Sequence, residues 1–423
     1  MVPIYSKDKI VFHSLLFSTI PDASDLYAVV RYDTDESILV NKVCVDVIQF
    51  LKKGHSISEV YALTDLPEEE ICKLINNLLD SGFVRMINDA KVPDFYEKIH
   101  PWLLNVNRKF FKWVISRFFI VTSLLFIFSG ICVMFLNQKF IPVYKDYFWS
   151  SDTFTVFLSI QVISIICLFL HECAHFITTK AVGGEARIRL STRFIFLVAE
   201  TENYYLNIVS RKQRYIVYLA GMTLDAIIIA STFWFLLISS HFHIYIGVMY
   251  KLLMVVVLIQ IESIAWQFSA FLQTDLYNFL CDFFNQPNLY NNMKKYVYMK
   301  VRTIVKRASF IKFSFHHTEE MLNKDADNFN SLTKKEKSNI FLYSLIYIFG
   351  IIAVSITFFS FIFPAHFLYI VRGVTDLYIA VDNKNIVEIC KASALIILVN
   401  YTNAIVLFLS VKKLFKSKKQ ISP

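Results

Sequence analysis

The chain alternates between long apolar segments and shorter polar, charged connections. Each apolar segment has at least about 20 residues, the length that a helix needs to cross the roughly 30 Å hydrocarbon core of a bilayer. We place these segments at residues 117–137, 154–178, 214–240, 246–272, 340–364 and 390–411. The pattern predicts a polytopic α-helical membrane protein with about six transmembrane helices.

The first 95 residues follow a different pattern. Residues Leu26–Arg31 and 37–39 have strand character on either side of an Asp-Thr-Asp turn. Three segments with helical spacing of apolar residues follow, the first ending at Gly54 and the third at Gly82. Residues 83–87 again resemble a strand. This order predicts a winged-helix-like α+β domain.

The predicted organisation has five parts, and the distribution of basic residues sets their orientation. Lys and Arg cluster in the connections that lie on the same side as the N-terminal domain, and in the tail at 412–419. Because cytoplasmic loops carry an excess of Lys and Arg, both termini are predicted to be cytoplasmic. The parts are a cytoplasmic winged-helix-like domain (1–95), a basic juxtamembrane linker (96–116), a core with four transmembrane helices (117–290), a basic cytoplasmic linker (291–338), and two further transmembrane helices with a basic tail (339–423).

Composition supports the membrane interpretation. Hydrophobic residues make up 56% of the chain and charged residues 18%, against about 25% charged in typical soluble domains. The net charge of +9 could indicate a nucleic-acid partner. However, no basic helix carries the interleaved aromatics that stack on single-stranded bases. We therefore expect the lipid bilayer, and not nucleic acid, as a partner.

The second apolar segment ends in a metal-binding motif. His171, Glu172 and His175 form the pattern H-E-x-x-H. On a helix, residues four apart share one face, so both imidazoles can bind one zinc ion. Glu172 can then take a proton from a water molecule that the zinc activates. The alternative is a pair of ordinary helix-end histidines, but three ionisable residues within an apolar segment are costly unless they are paired or bind metal.

A catalytic zinc needs a third protein ligand and an open position. His171 lies near the cytoplasmic end of its helix, and Asp275 follows the fourth segment at a comparable depth. We therefore favour Asp275 as the third ligand, although it could instead cap the end of its helix. Other acids are Asp225, Glu262 and the loop residues Glu200 and Glu202. Asp225 and Glu262 could line the active site, because acids inside a membrane helix are rarely without function.

At these residues the chain resembles the site-2 protease family of intramembrane zinc metalloproteases. The resemblance implies a membrane helix bearing the two histidines and an Asp, here Asp275, from a later helix. The family has an Ala-Gly-Pro-rich segment with an Asn where this chain has residues 220–225, with Met222 for the Pro and Asp225 for the Asn. The Gly that often follows the third ligand is Leu276 here.

Two finer resemblances suggest the biological setting. Tyr277 and residues 287–289, Pro-Asn-Leu, are similar to those of the putative peptide zinc metalloproteases of bacterial peptide-modification systems. Residues 26–87 resemble the PqqD-like leader-peptide recognition domain. These resemblances imply a zinc endopeptidase that matures a ribosomally made peptide, with a leader bound by residues 1–95 and a transporter as a further partner.

Two other functions stay open at this point. The chain could be a non-proteolytic membrane subunit for peptide export or immunity, or a regulatory protease that releases a membrane-tethered transcription factor. Residues 185–190 and 194–198 also have strand character after Gly183-Gly184. They predict a hairpin that either lies on the membrane surface or offers an edge to an extended substrate.

Overall fold

The computed structural model of the protein describes residues 7–19, 26–34, 36–64, 66–88, 90–94, 108–193, 196–206, 209–286, 289–307, 333–357, 359 and 363–401. The chain divides into two compact units. The first comprises Met1–Ser116, Phe176–Ile188 and Thr201–Val217, and the second comprises Arg117–His175, Arg189–Glu200 and Tyr218–Pro423.

The N-terminal part is a small α+β arrangement. Two antiparallel three-stranded sheets, ordered β2-β3-β4 and β1-β5-β6, accompany three helices. The elements are β1 (Ile10–Phe12), β2 (Leu15–Thr19), β3 (Leu26–Arg31), β4 (Ser37–Asn41), α1 (Lys42–Lys52), α2 (Ile57–Leu63), α3 (Glu68–Asp80), β5 (Val84–Ile87) and β6 (Ala90–Lys91). The strands and helices predicted between residues 26 and 87 are therefore present, in the predicted order.

Local sequence signals set the boundaries of these helices. The side chain of Asn41 accepts a hydrogen bond from the Cys44 amide and caps α1. Ser56 and Glu59 form a reciprocal capping box at the start of α2. Gly54 has φ +95°, a conformation that favours glycine, and it follows the end of α1. The apolar faces of the three helices pack on the strands and form one buried core.

Arg31 is the largest fully buried side chain in this unit. Its guanidinium donates to Asp33 at 2.7 Å, to Asp94 at 2.5 Å and to the Gly82 carbonyl at 2.6 Å. These charge-assisted hydrogen bonds satisfy a cation that would otherwise be costly to bury.

The rest of the described chain is mainly helical. Its helices are α4 (Arg108–Phe111), α5 (Arg117–Leu136), α6 (Thr153–Val182), α7 (Arg211–His241), α8 (Gly247–Gln267), α9 (Asp275–Phe284), α10 (Leu289–Arg307), α11 (Lys334–Thr357) and α12 (Phe363–Asp382), and residues 386–401 are also helical. Within the described residues, five helices are long and apolar enough to cross a membrane, namely α5, α6, α7, α8 and residues Lys334–Ile356 of α11. The protein is therefore compatible with a membrane protein that has an N-terminal domain.

The structure refines three predictions. The sixth predicted membrane segment, 390–411, lies partly outside the described residues. Helix α12 was not predicted, because Arg372, Asp376 and Asp382 interrupt its apolar positions. The fourth predicted segment is shorter than expected, since α8 ends at Gln267 and Gln273 adopts a left-handed φ of 57° before α9 begins.

The predicted hairpin after the motif helix is present. It consists of β7 (Glu185–Arg193) and β8 (Phe196–Tyr204), which pair in a two-stranded sheet. Arg189 donates to Glu200 across it, with an N–O distance of 3.0 Å. Glu202 accepts a hydrogen bond from Tyr204. Both acids therefore have partners within the hairpin.

Candidate metal centre

Helix α6 carries the H-E-x-x-H motif in its last three turns. His171, Glu172 and His175 are 2%, 5% and 2% exposed. The one-turn spacing brings the Nε2 atoms of the two histidines to 3.3 Å from each other. Burial of two imidazoles and a carboxylate on a single turn of an apolar helix requires polar partners.

Asp275, the first residue of α9, supplies one such partner. Its Oδ2 atom lies 3.1 Å from Nε2 of His175 and 3.6 Å from Nε2 of His171. A tetrahedral ion with bonds of about 2.05 Å separates its ligand atoms by about 3.3 Å. The three observed separations are 3.1, 3.3 and 3.6 Å, so the three atoms are spaced as ligands of one small cation would be.

The charge state of Asp275 is suited to this role. Burial alone would raise the pKa of its carboxyl group, but His175 and His171 outweigh burial and hold that pKa well below its usual range. The group therefore presents a carboxylate toward the two imidazoles. Two nitrogen ligands and one oxygen ligand form a donor set that suits divalent transition metals, zinc among them.

Asp225 contacts the other side of the His171 ring. Its Oδ2 atom lies 2.8 Å from Nδ1 of His171 and accepts a hydrogen bond from Ser263 Oγ at 2.8 Å. Asp225 is fully buried. A carboxylate on the distal nitrogen of a ligating histidine is the common way in which metal sites fix the ring and raise its basicity.

The side chain of Gln267 contacts the other nitrogen of that ring. Its Nε2 atom, which can only donate, lies 3.3 Å from Nε2 of His171. The tautomer of the ring follows from Asp225, whose carboxylate can only accept a hydrogen bond, so Nδ1 of His171 carries the proton in that contact and Nε2 faces the cluster. This tautomer directs the unshared electron pair of His171 into the cluster.

The backbone of α7 lies directly beneath the same ring. A Cβ atom built on Gly221 would lie 2.2 Å from Nε2 of His171 and 2.4 Å from Cε1. Any larger residue would displace the imidazole. Gly221 and Asp225 are four residues apart, so one face of α7 both makes room for His171 and hydrogen-bonds to it.

The predicted site residues thus divide into two groups. The structure brings His171, His175 and Asp275 together, and Asp225 joins them through Nδ1 of His171. Glu262 is exposed on α8 and interacts electrostatically with Tyr147, so it does not join the ligand group among the described residues.

Three residues at the site were not predicted from the sequence to have a role there, namely Gly221, Ser263 and Gln267. The one available signal was a row of polar residues along an otherwise apolar α8.

A second cluster of ligand-type side chains has a different explanation. His13, Asp33 and Asp94 also lie close enough together to bind an ion. However, the buried guanidinium of Arg31 already contacts both carboxylates, at 2.7 and 2.5 Å. This cluster is an ion-pair network around the buried Arg31 in the N-terminal unit.

Comparisons of the chain with protein-family models, curated proteins and solved structures found no match in any of the three. The functional interpretation therefore depends on the residues and their geometry.

Proposed function

We propose that the protein is a membrane-embedded zinc metalloprotease that hydrolyses peptide bonds. The observation that carries the proposal is the convergence of His171 Nε2, His175 Nε2 and Asp275 Oδ2, with separations of 3.1–3.6 Å. Two of these residues lie on a helix that is long and apolar enough to span a bilayer.

The residues divide the chemistry among themselves. When bound, zinc supplies Lewis acidity and lowers the pKa of water. His171, His175 and Asp275 would hold the ion, while Asp225 keeps the His171 ring in the tautomer that can bind it. Glu172 accepts the proton of the attacking water and passes it to the nitrogen of the leaving amine. Each of these groups is held by a helix, which favours pre-organised geometry.

We infer the class of substrate from the way in which a peptide bond must be presented to such a site. A peptide must be extended before its backbone carbonyl can be attacked, and an exposed strand edge can hold it in that form. The β7–β8 hairpin begins ten residues after His175 in the sequence and offers such edges. Strand β4 lies at the end of the β2-β3-β4 sheet and could bind a leader peptide in the same manner.

The biological role that fits these features is maturation of a ribosomally made peptide at the cytoplasmic membrane. In this role the winged-helix-like N-terminal domain captures the leader on the cytoplasmic side. Tethering the substrate in this way raises its effective concentration at the metal centre.

The test is co-expression of the full chain with the small peptides encoded beside it, followed by mass spectrometry of the products. We expect wild type to cleave one of them and to purify with one zinc per chain. Glu172→Gln should retain the zinc but lose cleavage, and Asp275→Ala should lose both. Glu69→Gln, a substitution at an exposed residue of α3, is the control and should cleave like wild type.

Two results would contradict the proposal. Cleavage by Glu172→Gln at the wild-type rate would exclude the proposed proton transfer. Wild-type protein that neither binds zinc nor cleaves any peptide would favour the alternative of a non-proteolytic subunit for peptide export or immunity.

A further inference from the structure

Helix α8 presents two polar side chains to the metal centre. Ser263 and Gln267 are four residues apart, so they share one face of the helix. Ser263 donates to Asp225 at 2.8 Å, and Gln267 contacts His171 at 3.3 Å. Polar side chains are costly within an apolar helix unless they have polar partners, and both of these side chains have a partner at the metal centre.

The carboxamide of Gln267 is held in one orientation. Its Oε1 atom accepts a hydrogen bond from the backbone N–H of Asp275 at 3.2 Å. The hydroxyl of Thr274 donates to the Gln267 backbone carbonyl at 2.7 Å, which anchors the same residue at the end of α8. Because Oε1 of Gln267 accepts this hydrogen bond from α9, the Nε2 hydrogens of the same carboxamide point toward the cluster.

Gln267 therefore provides an N–H donor among groups that are mainly acceptors. The other atoms at the cluster are the imidazole nitrogens of His171 and His175 and the carboxylate oxygens of Asp275 and Asp225. Asp225 is committed to His171 and Ser263 and, as a carboxylate, cannot donate a hydrogen bond. The N–H group of Gln267 is therefore a fixed donor beside the ligand nitrogens. An anionic oxygen of a ligand bound at the cluster would lie within its reach.

We propose that Gln267 is a catalytic residue that donates a hydrogen bond to the oxyanion formed during peptide hydrolysis. This inference rests on the proposed function.

Hydrolysis would proceed in two steps. In the first, the oxygen of water bonds to the carbonyl carbon of the peptide, a proton of that water passes to Glu172, and the carbonyl π electrons move onto the carbonyl oxygen. The C–N bond then breaks as the oxygen re-forms the double bond and Glu172 protonates the amine. Gln267 keeps its protons and stabilises the intermediate charge.

The test uses a small anionic probe, so no substrate needs to be known. Purified full-length protein is loaded with Co²⁺, whose visible absorption reports its ligands, and titrated with acetohydroxamate, which presents an anionic oxygen to the metal. The variants are Gln267→Met and the near-isosteric Gln267→Glu. The control is Gln260→Met, a substitution of a fully buried glutamine on the same face of α8.

We expect both Gln267 variants to bind Co²⁺ stoichiometrically, with an acetohydroxamate affinity at least about tenfold weaker than that of wild type. Gln260→Met should match wild type in both measurements. With a peptide substrate in hand, Gln267→Met should lower kcat by about 10²–10³ and leave KM within about twofold.

Two outcomes would overturn the inference while leaving the protease proposal intact. One is unchanged acetohydroxamate affinity in both Gln267 variants. The other is loss of Co²⁺ from both variants, which would make Gln267 a residue that only positions Asp275. Failure of wild type itself to bind Co²⁺ would instead refute the proposed function, and the inference with it.

Discussion

Nδ1 of His171 and Oδ2 of Asp225 lie 2.8 Å apart, although 54 positions separate the two residues in the chain. This contact joins the motif helix α6 to α7 and determines which nitrogen of His171 faces the cluster. The first prediction tests this relationship.

Replacement of Asp225 by Leu should weaken metal binding by about 10- to 100-fold, because His171 would lose the acceptor that fixes its ring. Asp225→Asn should bind nearly as well as wild type, since the amide oxygen can still accept from Nδ1–H. Metal affinity is measured by competition with a coloured chelator. Asp376→Asn, at an exposed position of α12, is the control. Unchanged affinity in Asp225→Leu would show that the contact has no role in the site.

Gly221→Ala should abolish high-affinity metal binding. The added Cβ would lie 2.2 Å from Nε2 of His171, so the ring must leave its position between α7 and the cluster. Gly373→Ala is a matched control, because the atoms nearest to its Cβ would be side-chain atoms of Ile396 and Leu395, at 3.0 Å and beyond. Isothermal titration with Zn²⁺ compares the two variants. Wild-type affinity in Gly221→Ala would disprove the proposed packing.

Gln260→Met should stabilise the protein by about 1 kcal/mol. Gln260 is fully buried, and neither side-chain amide atom has a hydrogen-bond partner among the described residues. A methionine of similar shape removes the cost of burying these groups. Thermal unfolding in detergent is the measurement. A lower midpoint than wild type would indicate that the amide has a partner in the folded protein.

The stability of the N-terminal unit should depend on His13 below about pH 6.5. Burial lowers the pKa of His13, and Arg31 and Arg85 lower it further, which outweighs the opposing effect of Asp33 and Asp94. The folded state therefore binds fewer protons than the unfolded state, in which the pKa is about 6.5. Stability should thus be fully present above that pH and fall as the pH decreases through it.

Hydrogen exchange of the amides in β1 and β5 measures this effect in the full chain, after correction for intrinsic rates. Wild type should lose protection on acidification, and His13→Gln should lose less over the same interval. Equal losses in both proteins would assign the pH dependence to other groups.

Much of the architecture could be predicted because it depends on local signals. Apolar length located the five segments that correspond to α5, α6, α7, α8 and α11, and glycines marked the ends of two helices of the N-terminal domain. Helix α12 was missed because its charged residues interrupt the apolar pattern. The end of α8 was misplaced because the left-handed turn at Gln273 carries no apolar signal.

The sequence by itself determined that two imidazoles and a carboxylate share one turn of an apolar helix, because the spacing of a helix is fixed by its hydrogen bonds. It also indicated Asp275 through its comparable depth. Only the tertiary structure decided which side chains complete the cluster. The contacts of His171 with Gly221, Asp225 and Gln267 come from α7 and α8, whose relative rotation and packing depend on many side chains at once and leave no short pattern in the sequence.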